Sequence, residues 1–152
     1  MKTGTGHAAR RPTPRQQALV AIFRTADAMR RALATLLEPH GLTGQQYNVL
    51  RILRGARPEA LPTMEIAERM MEQTPGITRL LDRLDEKGLV MRERCQDDRR
   101  QVLCTITPAA LSLLEALDRP VSEADEALLG ALDDAEVRQL IGLLDRIRSA
   151  AQ

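Results

Sequence analysis

Aromatic side chains are nearly missing from this chain of 152 residues, which has one Phe, one Tyr and no Trp. Its core therefore has to be built from Leu, Ile, Val, Met and Ala, which suits packed helices better than a β-sandwich. Cysteine is scarce too. Cys95 and Cys104 are too few for a disulfide framework and lack metal-ligand spacing, which fits a reducing compartment. No stretch approaches the roughly 20 apolar residues of a membrane span, and the amino terminus lacks the apolar segment of a secretory signal. A cytoplasmic protein without a membrane partner is expected. The two histidines, His7 and His40, offer neither a metal constellation nor a base beside a nucleophile, and His40 reads as a loop residue. Ser112, Ser122 and Ser149 fall in helical context with no histidine nearby in sequence. The chain is read as a non-enzyme that needs no cofactor.

What is present is charge, unevenly placed. The formal net charge is +1, yet residues 1–31 hold seven Lys/Arg against one acid and residues 108–152 hold four against nine. Residues 63–107 balance to −1. Bulk charge gives no nucleic-acid signal in that central part, so the placement of single cations has to carry any such reading.

At this length one domain is expected. Residues 1–15, with Arg10, Arg11 and Arg15 among Gly and Pro, show no hydrophobic period and read as a flexible basic arm. Over 16–38 the positions Leu19, Ile22, Phe23, Ala26, Met29, Leu33, Leu36 and Leu37 keep a helical period. Thr43 and Gln46 form a capping box that opens a second helix, carrying Tyr47, Leu50 and Leu53 inward as far as Gly55. A loop over 55–62 leads to Thr63, which is expected to cap a third helix with Ile66, Ala67 and Met70 inward.

The stretch over 74–88, TPGITRLLDRLDEKG, organises the rest. Thr74 can cap a helix with Pro75 in its first turn, and Gly88 can end it in the left-handed conformation. Ile77, Leu80, Leu81 and Leu84 form one apolar stripe. The other side offers Gln73, Thr74, Pro75, Gly76, Thr78 and Arg79 around the first turn, with Arg83 a turn further on. Those groups suit base edges and phosphates, and with the third helix they make a helix-turn-helix. After Gly88 the period changes to extended. Strands over 89–94 and 101–107 flank Asp98, Arg99 and Arg100, the tip of a wing whose arginines suit a narrow minor groove.

Thr107 and Pro108 start another helix by a cap-plus-proline device, which Pro120 is expected to kink or interrupt. A further segment over 124–132 is expected to lead to a capping box at Asp133 and Glu136, with Val137, Leu140, Ile141, Leu144 and Ile147 beyond it. The terminal helices have more apolar length than the central module covers, which reads as a dimerisation layer shared with the first helix. The expected class is mainly α with a small β-wing. Residues 43–107 form a winged helix-turn-helix DNA-binding region, and 16–42 with 108–152 form the helical dimerisation region.

This order of elements resembles the MarR family of bacterial transcriptional regulators over nearly the whole chain. TRLLDRLDEKGLV, over 78–90, is similar to the family's recognition helix and its exit. Asp98-Arg99-Arg100 followed by Ile106-Thr107-Pro108 resembles its wing pattern. The resemblance implies a homodimer on double-stranded DNA with inverted-repeat operators, commonly a repressor released by small aromatic acids or oxidants. It also implies that Arg100 enters the minor groove, with Asp98 orienting it and Arg99 beside it, while Thr74, Gly76, Thr78 and Arg79 face the major groove. Thr63, Gln73, Pro75 and Arg83 complete the expected DNA-facing set, Arg83 binding phosphate or an acid. Phe23, Met29 and Tyr47 are candidate walls of an effector pocket. The first helix lacks the reactive cysteine of the family's peroxide-sensing branch, and Ala110 stands where glycine is common.

Two other readings compete. A winged-helix module that binds protein instead of DNA fits the near-neutral central part. A thiol-responsive regulator would use Cys95, placed near Arg94 at the wing base, whereas Cys104 alternates inward with Val102 and Ile106 as a core residue.

Overall fold

The computed structural model describes residues 11–73 and 75–151. Among these, six helices and three short strands follow one another: α1 (Pro14–Leu37), α2 (Gly44–Ala56), β1 (Leu61–Pro62), α3 (Thr63–Arg69), α4 (Ile77–Glu86), β2 (Val90–Arg94), β3 (Val102–Ile106), α5 (Pro108–Leu129) and α6 (Asp134–Ala150). The class is the expected one, mainly helical with a small antiparallel sheet. No described helix is long and apolar enough to cross a membrane.

Side-chain caps set most of the helix starts. Thr43 and Gln46 exchange both bonds of a capping box at α2, at 3.2 and 3.1 Å. Thr107 accepts from the Ala110 amide at 3.3 Å, with Pro108 in the first turn of α5. Asp133 takes the amides of Ala135 and Glu136 at 2.8 and 2.9 Å while Glu136 reaches back to Asp133 at α6. The same device works at Thr13 and Gln16, so α1 starts at Pro14 and the last two residues expected in the arm, Pro14 and Arg15, are helical. Residues 1–10 of that arm lie outside the described residues.

Three other boundaries differ from expectation. The loop over 55–62 ends in a strand: Leu61 and Pro62 pair with Cys104 and Leu103, giving sheet order β1-β3-β2. Thr63 is the first residue of α3 and not its cap. Its hydroxyl instead donates to the Val102 carbonyl at 3.3 Å, tying α3 to β3. Pro120 does not interrupt its helix, and the separate segment expected over 124–132 is the second half of α5. Leu117 and Val121 are buried on either side of Pro120, so both turns stay on the core. Ala116, whose carbonyl loses its helical partner to the proline, is exposed where water can take the bond.

The core is aliphatic apart from Tyr47, as the composition requires. Leu37, Val49, Leu50, Leu53, Ile66, Leu81, Leu84, Val90, Cys104, Leu114 and Leu117 are almost fully buried where α2 to α5 meet the sheet. A two-pronged Arg54–Asp118 pair, at 2.8 and 2.9 Å, joins α2 to α5 at the edge of this core. The outer helices contribute little to it. Leu37 is the one buried residue of α1, and α6 has none.

Cys104 is fully buried between β1 and β2, and burial pushes its thiol up against the lowering effects of Thr63 and Arg92. Cys95, at the end of β2, is partly exposed. At neutral pH the Cys104 thiol therefore stays protonated as well as shielded. Iodoacetamide should add one adduct to the native protein, at Cys95, and two after urea unfolding, read by mass spectrometry. Truncating the fully buried Leu84 to Ala should lower the unfolding free energy by about 2–5 kcal/mol in urea titrations.

Candidate nucleic-acid interface

The helix α4 opens without a side-chain cap. Gly76 precedes it with φ 88°, a left-handed conformation that L side chains rarely adopt, and the Leu80 amide donates to the Gly76 carbonyl at 3.2 Å. The helix thus begins at Ile77, later than a Thr74 cap with Pro75 in the first turn would place it. Glycine's freedom wins because the Pro75-Gly76 pair makes its own turn. Thr74 itself lies outside the described residues.

Starting later puts Thr78 and Arg79 in the first turn of α4, both exposed, with Arg83 exposed one turn on. Leu81 and Leu84 hold the opposite side in the core. Gln73, Pro75 and Gly76 are exposed in the turn before the helix. Gln73 and Pro75 lie beside Ala67, Glu68 and Met70 of the preceding segment. Asp98, Arg99 and Arg100 are exposed in the connection between β2 and β3.

Asp98 works on the backbone of this connection. Its carboxylate accepts from the Arg100 amide at 3.0 Å and from the Gln101 side chain at 3.3 Å, which holds the turn and leaves the Arg100 guanidinium to solvent. Thr63, Thr78 and Arg100, far apart in sequence, line one groove of about 760 Å³ between α3, α4 and the wing. Glu65 and Glu68 line it as well. Among the described residues, Arg79, Arg83, Arg99 and Arg100 form no ion pair, whereas Glu65 pairs with Arg69 and Asp82 with Arg92. Four cations thus remain available beside a helix whose first turn offers hydrogen-bonding groups. Such a face can bind phosphates and reach base edges.

Of the residues that line the groove, sequence reasoning singled out only Thr63, Thr78 and Arg100 and missed the rest, among them Met64, Arg92 and Gln101. Met64 is 68% exposed. Arg92 carried a readable signal, because it shares the inward alternation of its strand with buried Val90.

A separate cavity of about 370 Å³ lies between α1, α2 and α5, lined by Met29, Arg30, Leu33, Tyr47, Asn48 and Arg51 among others. Arg51 sits 5.9 Å from the centre of the Tyr47 ring, and burial pushes the Tyr47 hydroxyl up with Arg51 opposing. Phe23 is not part of this wall. Its ring is 71% exposed, on the side of α1 that also carries exposed Leu19 and Val20. The connection between α3 and α4 closes the cavity: the Met71 amide donates to Asn48 Oδ1 at 3.0 Å, and Glu72 faces Arg30 at 3.7 Å.

A family model described as MarR family matches residues 40–101, from the turn before α2 to the end of the wing connection. A Thauera aromatica protein named for regulation of the hcr operon is 30% identical over 120 residues, which cover 79% of this chain and 71% of that one. Among solved structures, the MarR transcription factor of Planctomyces limnophilus is 40% identical, with a TM-score of 0.70 over 90% of this chain and 98% of that one. A mutant MarR of E. coli, solved in complex with operator DNA, is 28% identical, with a TM-score of 0.76 over 84% and 90% of the two chains. The element order, the wing and these relatives lead to one conclusion: the chain belongs to the MarR family of winged helix-turn-helix transcriptional regulators.

Proposed function

We propose that this protein is a homodimeric, cytoplasmic repressor that binds inverted-repeat operators and is released by a small aromatic acid. The observation that carries the DNA-binding part is the unpaired set Arg79, Arg83, Arg99 and Arg100, arranged on α4 and the wing around the groove that Thr63 and Thr78 share. In this reading Thr78 and Arg79 reach into a major groove while Arg100 enters the adjacent minor groove, where a weakly hydrated cation meets strong negative potential. Gln73, Pro75 and Gly76 lie at the helix entry beside the same backbone, and Arg83 and Arg99 take phosphates.

Unpartnered apolar surface supports the dimer. Leu19, Val20 and Phe23 of α1 and Ile141, Leu143 and Ile147 of α6 are each between 46% and 71% exposed, too much for helices this long to leave in water. A second copy placed there by a two-fold axis sets two α4 helices about one duplex turn apart, roughly 34 Å, which calls for an inverted repeat. The cavity supports the effector. Its mostly apolar wall with Tyr47, Arg30 and Arg51 suits a flat ring carrying one carboxylate.

The acids Glu65 and Glu68 in the groove favour one rival, a protein-interaction module, and salt dependence separates the two. On the duplex from its own upstream region the protein should bind more tightly than on a scrambled duplex, and log affinity should fall steeply and linearly with log salt. Feeble binding to both, without a salt slope, would favour the protein-interaction module. Arg100→Ala should weaken specific binding by about 1–3 kcal/mol in anisotropy titrations. Phe23→Glu should turn a particle of twice 16.9 kDa into a monomer of that mass in sedimentation equilibrium, and an unchanged mass would remove α1 from the interface.

A further inference from the structure

Asp82 is the acid one would remove to make the DNA-facing helix more positive. Its surroundings argue that removal would weaken binding. Arg79 and Arg83 are near neighbours on the same helix, yet the Asp82 carboxylate pairs with neither and reaches across to Arg92 of β2. The Arg92 side chain is only 18% exposed against 48% for Asp82, and its Nε is buried without a partner among the described residues. It stands opposite Cys104 in the sheet, on the inward alternation with Val90. A leucine would fill such a position with no charge to desolvate, and an ion pair with one end mostly buried and the other half exposed is weak evidence of stabilisation, because desolvation and solvent screening offset much of the attraction. Fixing one geometry among several is the better-supported use of such a pair.

What it fixes is legible from its two ends. Asp82 lies on the helix that carries Thr78 and Arg79. Arg92 lies on the strand that leads into the wing and lines the groove with Arg100. Further along, the Thr107 hydroxyl donates to the Gly88 carbonyl at 2.8 Å, tying the exit of α4 to the exit of β3. The leucines of α4 prevent it from lifting off the core but are non-directional, so they resist sliding and rotation poorly. We infer that Asp82 and Arg92 are positioning residues whose ion pair locks the rotation of α4 relative to the wing, so that Arg79 and Arg100 meet two adjacent grooves in one fixed relation. The inference rests on the DNA-binding reading above.

The test compares wild type with Asp82→Asn, nearly the same shape and half exposed, on the upstream and the scrambled duplex over several salt concentrations. Circular dichroism confirms the folded fraction at the assay temperature. Positioning predicts that Asp82→Asn loses about tenfold in affinity for the upstream duplex, keeps or gains affinity for the scrambled one, and leaves the salt slope unchanged. Asp82→Glu, which keeps the charge, should recover part of the loss. Arg92→Lys keeps the charge without the planar fork and should lose discrimination likewise, giving a second reading if Asp82→Asn folds poorly. A gain by Asp82→Asn on both duplexes would make Asp82 an ordinary surface acid and overturn the inference. So would a salt slope lowered by about one phosphate in Arg92→Gln, which removes the charge, because that would make Arg92 a direct contact. A wild type that fails to distinguish the duplexes overturns the DNA-binding reading and the inference with it, whereas a discriminating wild type with an unaffected Asp82→Asn overturns the inference alone.

Discussion

Ten residues are too few for a helix to persist in water on its own, so α4 exists because Leu81 and Leu84 are buried beneath it. Everything the protein presents to a partner depends on that burial. The two leucines press the helix onto a core shared with Ile66 of α3 and Val90 of β2, which gathers the groove residues of all three elements on one side of the molecule. The side of α4 that faces away needs no apolar residue and is free to carry Thr78, Arg79 and Arg83. Amphipathicity here is the physical link between folding and function. One stripe secures the helix, and the other is left free to meet a partner.

Charge in the central module shows why placement outweighs the sum. Residues 63–107 balance to −1, which by itself argues against a polyanion as partner. Part of the acidic charge is engaged locally: Glu65 faces Arg69, Asp82 faces Arg92, and Asp98 accepts from the Arg100 amide and the Gln101 side chain. The cations of the exposed face form no such pairs among the described residues. A near-neutral sequence can thus still present four cations with no ion pair among the described residues on α4 and the wing, because charge is distributed by position and not by the sum.

The parts of this architecture that were legible in the sequence are those that a short-range physical rule dictates. A threonine or aspartate three residues before a glutamine or glutamate, or a threonine before proline, starts a helix because the orphan amides need acceptors, and α2, α5 and α6 start where those residues stand. The wing was readable from the change of period after Gly88. What escaped depends on distant partners or on competing local rules. Two residues of β1 have no period, and Leu61 becomes a strand only because Cys104 arrives opposite it. Thr63 could have capped α3, but the Val102 carbonyl, 39 residues away, claims its hydroxyl. At α4 two start signals stood side by side, and the glycine's left-handed turn set the boundary. The rule that proline breaks helices failed at Pro120, where packing on both adjacent turns outweighs one lost bond. Of the groove residues, Thr78 and Arg100 were expected from pattern, while the inward Arg92 needed the sheet to show what it faces.

Distance separates the cavity from the DNA-facing side, yet the chain joins them directly. Met71 and Glu72 form part of the cavity wall and belong to the short connection that runs into Gly76 and α4. Polar contacts hold that connection, among them the Met71 amide on Asn48 of α2 and Glu72 opposite Arg30 of α1, while the other end of α4 is tied to the wing through Thr107. A molecule in the cavity therefore touches the entry of the helix and leaves its exit held. A ligand shifts a conformational equilibrium only by as much as its affinity differs between the two states. For the proposed aromatic acid that difference has a physical source. Under that proposal its carboxylate would compete with Glu72 for Arg30, so that occupancy and the position of the connection would draw on the same guanidinium. A neutral ring filling the same volume would lack that competition, so the proposed coupling would depend on the charge of the effector and not on its size alone.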